Sequence, residues 1–468
     1  MDKETLSNYG WIVICTLVLA VMIALATPFG GYIRDGIWSV TNGLNDTLNK
    51  NMEIVGLNGG GGSGNVDDNQ TTGKITTETS ENVMMVFYDA NAGSFSQKMF
   101  AFWATSQSPT KVKFTDNYPA TLTFVEDTSK VTADSNNALD ISEAQNKGVA
   151  AYIVTEGNDT VLYVAGNNGV VMANANSSAV FALMPTIKSI EFGNYFNTTR
   201  AQNMEMMFAG GENGNLIETL DLTSFDFSNV TNLSGLFSDC KNLKNLHLPA
   251  FKVVEGANIY GMYMNCRSLE NVILPEGITS IGDNAFYGCK SLANINIPDN
   301  ITSIGESAFQ DCESLKIVII PNSVTSIGGY VFCFCESLEE IVLSNSLTSI
   351  PTNAFNACAS LKYVSIPSSV KSIGTSAFFN CTSLADVVIE EGLVDIGGSA
   401  FKNCSKLESL TLPSTVKTIG NYCFEYAGLD NINFKGTMTQ WNAINKSTAW
   451  DSYSSIDKIT CSDGTITL

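Results

Sequence analysis

Residues 269–291 read LENVILPEGITSIGDNAFYGCKS and residues 292–314 read LANINIPDNITSIGESAFQDCES, so one stretch of 23 residues lies over the next without a gap. The step continues for seven units, starting at Leu269, Leu292, Leu315, Leu338, Leu361, Leu384 and Leu407. Each unit has an apolar pair two residues apart (Val272 and Leu274 in the first), an apolar residue at the place of Ile278 and an isoleucine at that of Ile281. A phenylalanine column is unbroken: Phe286, Phe309, Phe332, Phe355, Phe378, Phe401 and Phe424. One such unit is too short to bury its own apolar face. Stacked units cover each other, with strands pairing in parallel at ~4.8 Å and the apolar columns closing into one core. The Leu-x-x-Ile-x-Ile part of each unit supplies the strand. The fold class is therefore a repeat solenoid, a leucine-rich-repeat stack with a parallel β-sheet.

Other columns refine this reading. Gly282, Gly305, Gly328, Gly374, Gly397 and Gly420 share one position, which implies a tight bend or a positive φ at that corner, with Pro351 standing in once. Pro275, Pro298, Pro321, Pro367 and Pro413 end five of the strands, while Ser344 and Glu390 replace the proline in the other two. Cys266, Cys289, Cys312, Cys335, Cys358, Cys381 and Cys404 are 23 residues apart, with Ala427 closing the column. Thiols one per ~4.8 Å layer, their Cβ vectors parallel, stand farther apart than the ~3.8 Å Cβ separation of a disulfide. They read as free structural thiols at a site that wants a small buried group.

Upstream the period changes to 26 residues, with units at 220–245 and 246–271 and a degenerate one near Ile190. The organisation expected is a short segment 1–10, a transmembrane anchor 11–29, an amphipathic helix or stalk 30–56 and a Gly-rich linker 57–74. A small β-rich module follows at 75–185, then 26-residue-type repeats at 186–268, seven 23-residue repeats at 269–429 and a C-terminal cap at 430–468. The β-rich module rests on short runs at 83–88, 121–125, 150–154 and 161–164, separated by turn signals. The cap rests on Phe434, Trp441 and Trp450, with Ser462-Asp463-Gly464 as a turn between short strands holding Ile459 and Ile466.

The anchor is read from WIVICTLVLAVMIALA, Trp11 to Ala26, which carries no charge. A cleaved signal peptide ending at Ala24-Leu25-Ala26 competes, although Met1-Asp2-Lys3-Glu4 lacks the positive bias of such signals. Beyond Pro28, apolar residues return at Ile33, Ile37, Val40, Leu44 and Leu48, one face of a helix. An apolar helix followed by an amphipathic one, preceded by Gly10, resembles the N-terminal half of tight-adherence pilins, but Thr16 stands where that family has a glutamate.

The Ile-Pro, Ser-Ile-Gly, Ala-Phe and Cys landmarks of the 23-residue units resemble the BspA-like leucine-rich-repeat surface proteins of the treponemal repeat class. The segment from Leu220 through Leu236-Phe237 resembles the second repeat type of that family, and Gly436 to Trp441 with Cys461 to Gly464 is similar to its usual C-terminal end. The resemblance implies a surface protein that binds matrix components, other cells or receptors.

Composition narrows the chemistry. The chain has 468 residues, 25 Lys plus Arg against 46 Asp plus Glu, and a formal net charge of −21. That balance argues against nucleic acid, whose phosphates need basic contacts, and against a polybasic lipid patch. His247 is the only histidine, so Ser-His, Cys-His and paired-histidine chemistry have little to use. No catalytic, cofactor-binding or metal site is expected, and the chain reads as a non-enzyme; a hydrolase within 75–185 is the remote competitor. Alternation along the strands turns two columns outward: Asn271/Ile273, Asn294/Asn296, Ile317/Ile319, Glu340/Val342, Tyr363/Ser365, Asp386/Val388 and Ser409/Thr411. From these, Ile273, Asn296, Ile317, Ile319, Glu340, Val342, Tyr363, Ser365, Asp386 and Val388 are the partner-binding candidates. Against that stands the plain preference of strands for β-branched residues. The expected partners are proteins or glycans on another cell or in extracellular matrix, with the membrane engaged through 11–29. The expected location is the cell surface, as a single-pass protein with its C-terminal bulk outside. A structural pilus-associated or surface-layer subunit that displays the solenoid is the alternative.

Overall fold

The computed structural model describes residues 121–125, 138–140, 149–156, 159–166 and, apart from 183–186, 212–213 and 250, residues 170–468. The expected anchor at 11–29, the helix at 30–56, the linker at 57–74 and the strand at 83–88 lie outside the described residues. Among the described residues no helix is long and apolar enough to cross a membrane.

The observed architecture is a parallel β-solenoid of about 12 turns. From Leu315 to Leu407 each 23-residue turn contributes two short strands. The first series includes Ile317–Ile319, Glu340–Val342, Tyr363–Ile366 and Asp386–Ile389, paired in parallel so that Tyr363 lies opposite Asp386 and Ile366 opposite Ile389. The second series, such as Ser372–Ile373, Asp395–Ile396 and Thr418–Ile419, forms its own parallel sheets on an adjoining wall. Only the first series was anticipated. The second arises because each Ser-Ile step must bury its isoleucine, and the pleat then turns the preceding residue outward.

The phenylalanine column is the axis of the core. All seven rings from Phe286 to Phe424 are fully buried, and consecutive rings stack at 5.1–6.0 Å with interplanar angles of 7–14°. Tyr263, Phe237, Phe208 and Phe181 extend the stack upstream, so the 26-residue units use the same core position. Downstream, the Trp450 ring meets Phe424 edge-on at 88° and ends the series.

Each thiol of the repeat column has a definite partner. Cys289 Sγ donates to the Tyr263 carbonyl at 3.1 Å, Cys312 to Phe286 at 3.2 Å and Cys335 to Phe309 at 3.1 Å; the pattern continues through Cys404 to Phe378. The same carbonyl accepts the N–H of the cysteine in its own turn, as Phe309 O accepts from Cys312 N. The column thus wants a small side chain that can donate, which a spacing argument alone does not show. All eleven cysteines from Cys240 to Cys461 are free and buried.

The glycine column has a different cause from the one expected. None of Gly282, Gly305, Gly328, Gly374, Gly397 or Gly420 has a positive φ. A Cβ at Gly328 would sit 2.3 Å from Glu306 N, and one at Gly420 2.3 Å from Gly398 N, so glycine is required by the close approach of the neighbouring turn. Positive φ falls instead on two other positions per turn, for example Ser307 and Asp311, or Asn380 four residues after Ser376.

Upstream, side chains tie the turns together. Asn176, Asn203, Asn232 and Asn258 form successive parallel bridges. Asn203 Nδ2 donates to Asn176 Oδ1 at 3.0 Å, while each Oδ1 accepts a backbone N–H two residues on, as from Ser234 to Asn232. Stacked turns already include Val171–Met172, which pairs with Phe196–Asn197, and Phe181; repetition therefore begins ahead of residue 186, hidden because the landmark leucines are missing there.

Both ends are covered. Thr121–Val125 pairs in parallel with Asp159–Gly166 on one side and with Ser189–Glu191 on the other, and Leu122 and Val164 join the solenoid's apolar core. At the far end Lys458–Cys461 and Gly464–Thr467 form an antiparallel hairpin with Ile459 opposite Ile466. The helix Met438–Ala443, started by a Thr437/Gln440 capping box, brings Trp441 against Phe434 at 5.4 Å and Trp450 at 5.7 Å. An unpaired terminal turn would leave apolar surface and free backbone groups in water.

Two outcomes follow from this core. Phe355→Ala empties one position of the stack and should cost about 3–5 kcal/mol, read as a lowered urea midpoint. Burial holds the thiols protonated, pushing Cys289 and Cys240 up from the ordinary 9.0 to about 12. Their contribution to stability is complete below pH 9.0 and is lost as pH rises towards 12, so the urea midpoint should fall across that interval, less steeply in Cys289→Ala.

Candidate functional site

The strand-bearing wall places the outward side chains in two files. Ile317, Glu340, Tyr363 and Asp386 stand in one, each opposite the next in register. In the other, Ile319 faces Val342 and Ser365 faces Val388. Alternation produces this arrangement: Val318, Ile341, Val364 and Val387 point into the core, so their neighbours cannot. Eight of the ten candidate residues are therefore brought onto one ordered sheet.

Ile273 and Asn296 are not. Residues 269–275 and 292–298 carry the same sequence pattern but form no strand; Ala293 N–H reaches Glu270 O and Lys316 N–H reaches Ala293 O, each at 3.4 Å, and one bridge joins Asn294 to Ile317. Both side chains are nevertheless exposed on the same wall, Ile273 with 53% of its surface in water.

Exposure divides the file further. Ile317 is 49% exposed and Val388 42%, unusual for aliphatic side chains with a core available. Ile319, Glu340, Val342, Tyr363 and Ser365 are half-buried between their neighbours, and Asp386 is exposed. The wall has a charged border one residue ahead of the strands, where Glu339 pairs with Lys362. The Lys362 ammonium, with Lys316 farther off, holds the exposed Glu339 carboxyl below its ordinary range.

The surface is thus broad, regular, apolar in patches and bordered by paired charges. Among the described residues no group of histidine, cysteine or acidic side chains is placed to hold a metal ion. The buried thiols have raised pKa values because burial disfavours the thiolate, the reverse of what a nucleophile or metal ligand needs.

One group of surface residues escaped the sequence reading. Tyr330, Phe334, Tyr422, Tyr426 and Tyr453 occupy the two positive-φ positions, filled in the other 23-residue turns by Asn, Ser, Asp, Gly or Ala, and all are exposed. Tyr426 and Tyr453 stack at 5.5 Å, and Lys402, paired with Glu425, lies 5.9 Å from the Tyr422 ring centre. The available signal was the column itself: aromatics standing where the pattern otherwise calls for small or turn-forming residues.

Comparison with known proteins agrees with this geometry. Residues 259–385 and 348–467 match the model of the BspA type leucine rich repeat region, and residues 176–295 match a model described as a Mycoplasma protein of unknown function, DUF285. No protein of curated function matches. Among solved structures, a leucine-rich repeat protein from Bacteroides ovatus is 18% identical, covering 66% of this chain and 90% of that one at a TM-score of 0.43. A leucine rich cell surface protein from Faecalibacterium prausnitzii is 20% identical over 72% of this chain and 93% of that one, with a TM-score of 0.31. The T. pallidum leucine rich repeat protein is 33% identical over 30% of this chain and 70% of that one, with a TM-score of 0.27. The repeat matches support a BspA-like leucine-rich-repeat family, with residues 259–467 as repeats of that type. The tight-adherence pilin resemblance concerned residues outside those described.

Proposed function

We propose that this chain, whose residues 259–467 are BspA-type leucine-rich repeats, is a cell-surface recognition protein that binds a protein or glycan partner through the strand-bearing wall of its solenoid. The observation that carries the reading is the exposure of Ile273, Ile317 and Val388 on that wall, next to a core that could have taken them. The role we assign is non-enzymatic: the strands position side chains for contact over a long surface. The acidic chain, at −21, repels other anionic surfaces, so specific adhesion has to be won by local apolar and hydrogen-bonding contacts. Attachment to the cell is assigned to the uncharged run at 11–29, which would hold the solenoid outside.

The test immobilises the full chain and measures capture of purified extracellular-matrix proteins and of whole cells. Ile317→Lys with Val388→Lys places two charges on exposed positions and should leave the circular dichroism spectrum and melting temperature unchanged. Capture should fall by about tenfold or more, since each buried aliphatic contact is worth roughly 1.5–3 kcal/mol. Equal capture by the double variant removes the wall from consideration, and capture of nothing by the unaltered chain removes adhesion.

A further inference from the structure

We infer that the solenoid contains a built-in hinge where its two repeat classes meet, opened by the buried hydroxyl of Tyr263.

The strand wall forms ladders on both sides of this junction and none within it, where the main chain is joined only at the leading residues Glu270, Ala293 and Lys316 and at the bridge of Asn294 to Ile317. Upstream, Thr219–Asp221 pairs with Asn245–His247; downstream, the ladder runs from Ile317 to Ile389, and Ser409–Leu412 begins a separate sheet. Between them, Val272, Leu274 and Ile295 sit at positions whose later equivalents, Val318, Ile320 and Ile341, are buried, yet these three are only half-buried. The Val272, Leu274 and Asn296 N–H groups, which a parallel ladder would use, find no main-chain acceptor among the described residues. The sequence is strand-like and the strand is absent, so something local overrides it.

That something is one oxygen atom. Tyr263 takes the ring position that is phenylalanine in every 23-residue turn, and its ring stacks at 5.4 Å on both Phe237 and Phe286. Its hydroxyl enters an apolar core at a residue 1% exposed, where an unpaired phenol is costly. It donates to the Ile273 carbonyl at 3.0 Å. The Ile273 side chain faces solvent, so in a regular strand its carbonyl would lie along the stack, towards the adjoining turn. Drawn inward to the hydroxyl, that carbonyl turns its whole peptide unit, and the Leu274 N–H leaves the ladder with it. The next turn, 292–298, then lacks a strand partner on one edge and is joined only through Ala293, to Glu270 and Lys316, and through the bridge of Asn294 to Ile317.

The opposite wall remains tied. Val253 N–H donates to Glu276 O at 2.9 Å, Gly261 N–H to Asp283 O at 2.9 Å and Tyr263 N–H to Ala285 O at 2.8 Å. A junction fastened along one side and open along the other bends about the fastened side. Bending there changes the angle between the upstream and downstream parts of the strand wall while the ring stack stays intact. This holds whether or not that wall binds a partner.

Hydrogen exchange of the full chain, resolved to single amides, tests the hinge. In the unaltered protein the Leu274 and Asn296 amides should exchange at least about a hundredfold faster than those of Val318 and Val342 in the laced strands. Tyr263→Phe, which restores the residue found elsewhere in the column, should slow Leu274 by about tenfold or more and leave Val318 and Val342 as they were. Leu274 and Asn296 as slow as Val318 in the unaltered protein would overturn the hinge outright. Open amides that Tyr263→Phe does not slow would overturn the role of the hydroxyl.

Discussion

The face-to-face stacking of one aromatic ring per turn is the contact on which the other features of this protein depend. From Phe181 to Phe424 the rings succeed one another at 5.1–6.0 Å, and that spacing fixes the rise of the solenoid. Once the rise is set, the strands of neighbouring turns fall within hydrogen-bonding reach and the cysteine Sγ of one turn meets the aromatic carbonyl of the turn before it. The glycine column meets the backbone of the preceding turn so closely that a Cβ at Gly328 or Gly420 would fall 2.3 Å from it. Each pair of rings contributes only about 0.5–1.5 kcal/mol beyond its burial. The weight of the arrangement lies in repetition, because every turn is held by two neighbours and neither is sequence-distant by more than one unit.

How much of this was legible follows from what repetition reveals and conceals. Period and inward columns could be read directly, since a buried position tolerates few residue types and so recurs. The phenylalanines point inward and the strands from Ile317 to Ile389 keep the 23-residue register, as the pattern required. The glycine column was legible as a constraint but not as its cause: a positive φ and a close backbone approach both select glycine, and spacing does not separate them. The thiols show the same limit, for a column of cysteine with one alanine reports size, while the carbonyl that accepts the S–H bond is twenty-six residues away.

The candidate wall was legible in the same graded way. Alternation gave which residues face outward, and the sheet gathers Ile317, Glu340, Tyr363 and Asp386 into one file as that alternation demands. Ile273 and Asn296 were assigned by the same rule and fall on segments that form no strand, because Tyr263 differs from its column by a hydroxyl whose need for an acceptor no periodicity reports. The exposed tyrosines at 422, 426 and 453 were passed over for a related reason: they break a column that is defined by turn geometry rather than by burial, and such columns are faint in sequence.

The constancy of the step has a consequence for how such a gene can change. Removing or duplicating any one 23-residue unit between Leu315 and Leu407, in frame, would rejoin a ring to an equivalent ring, a thiol to an equivalent carbonyl and a strand to an equivalent strand. Recombination between equivalent repeats would therefore yield proteins of different reach with intact interiors, while the special ends, the sheet around Leu122 and the tryptophan pair at 441 and 450, are inherited unchanged. Length is a heritable variable that selection can tune without redesigning the core.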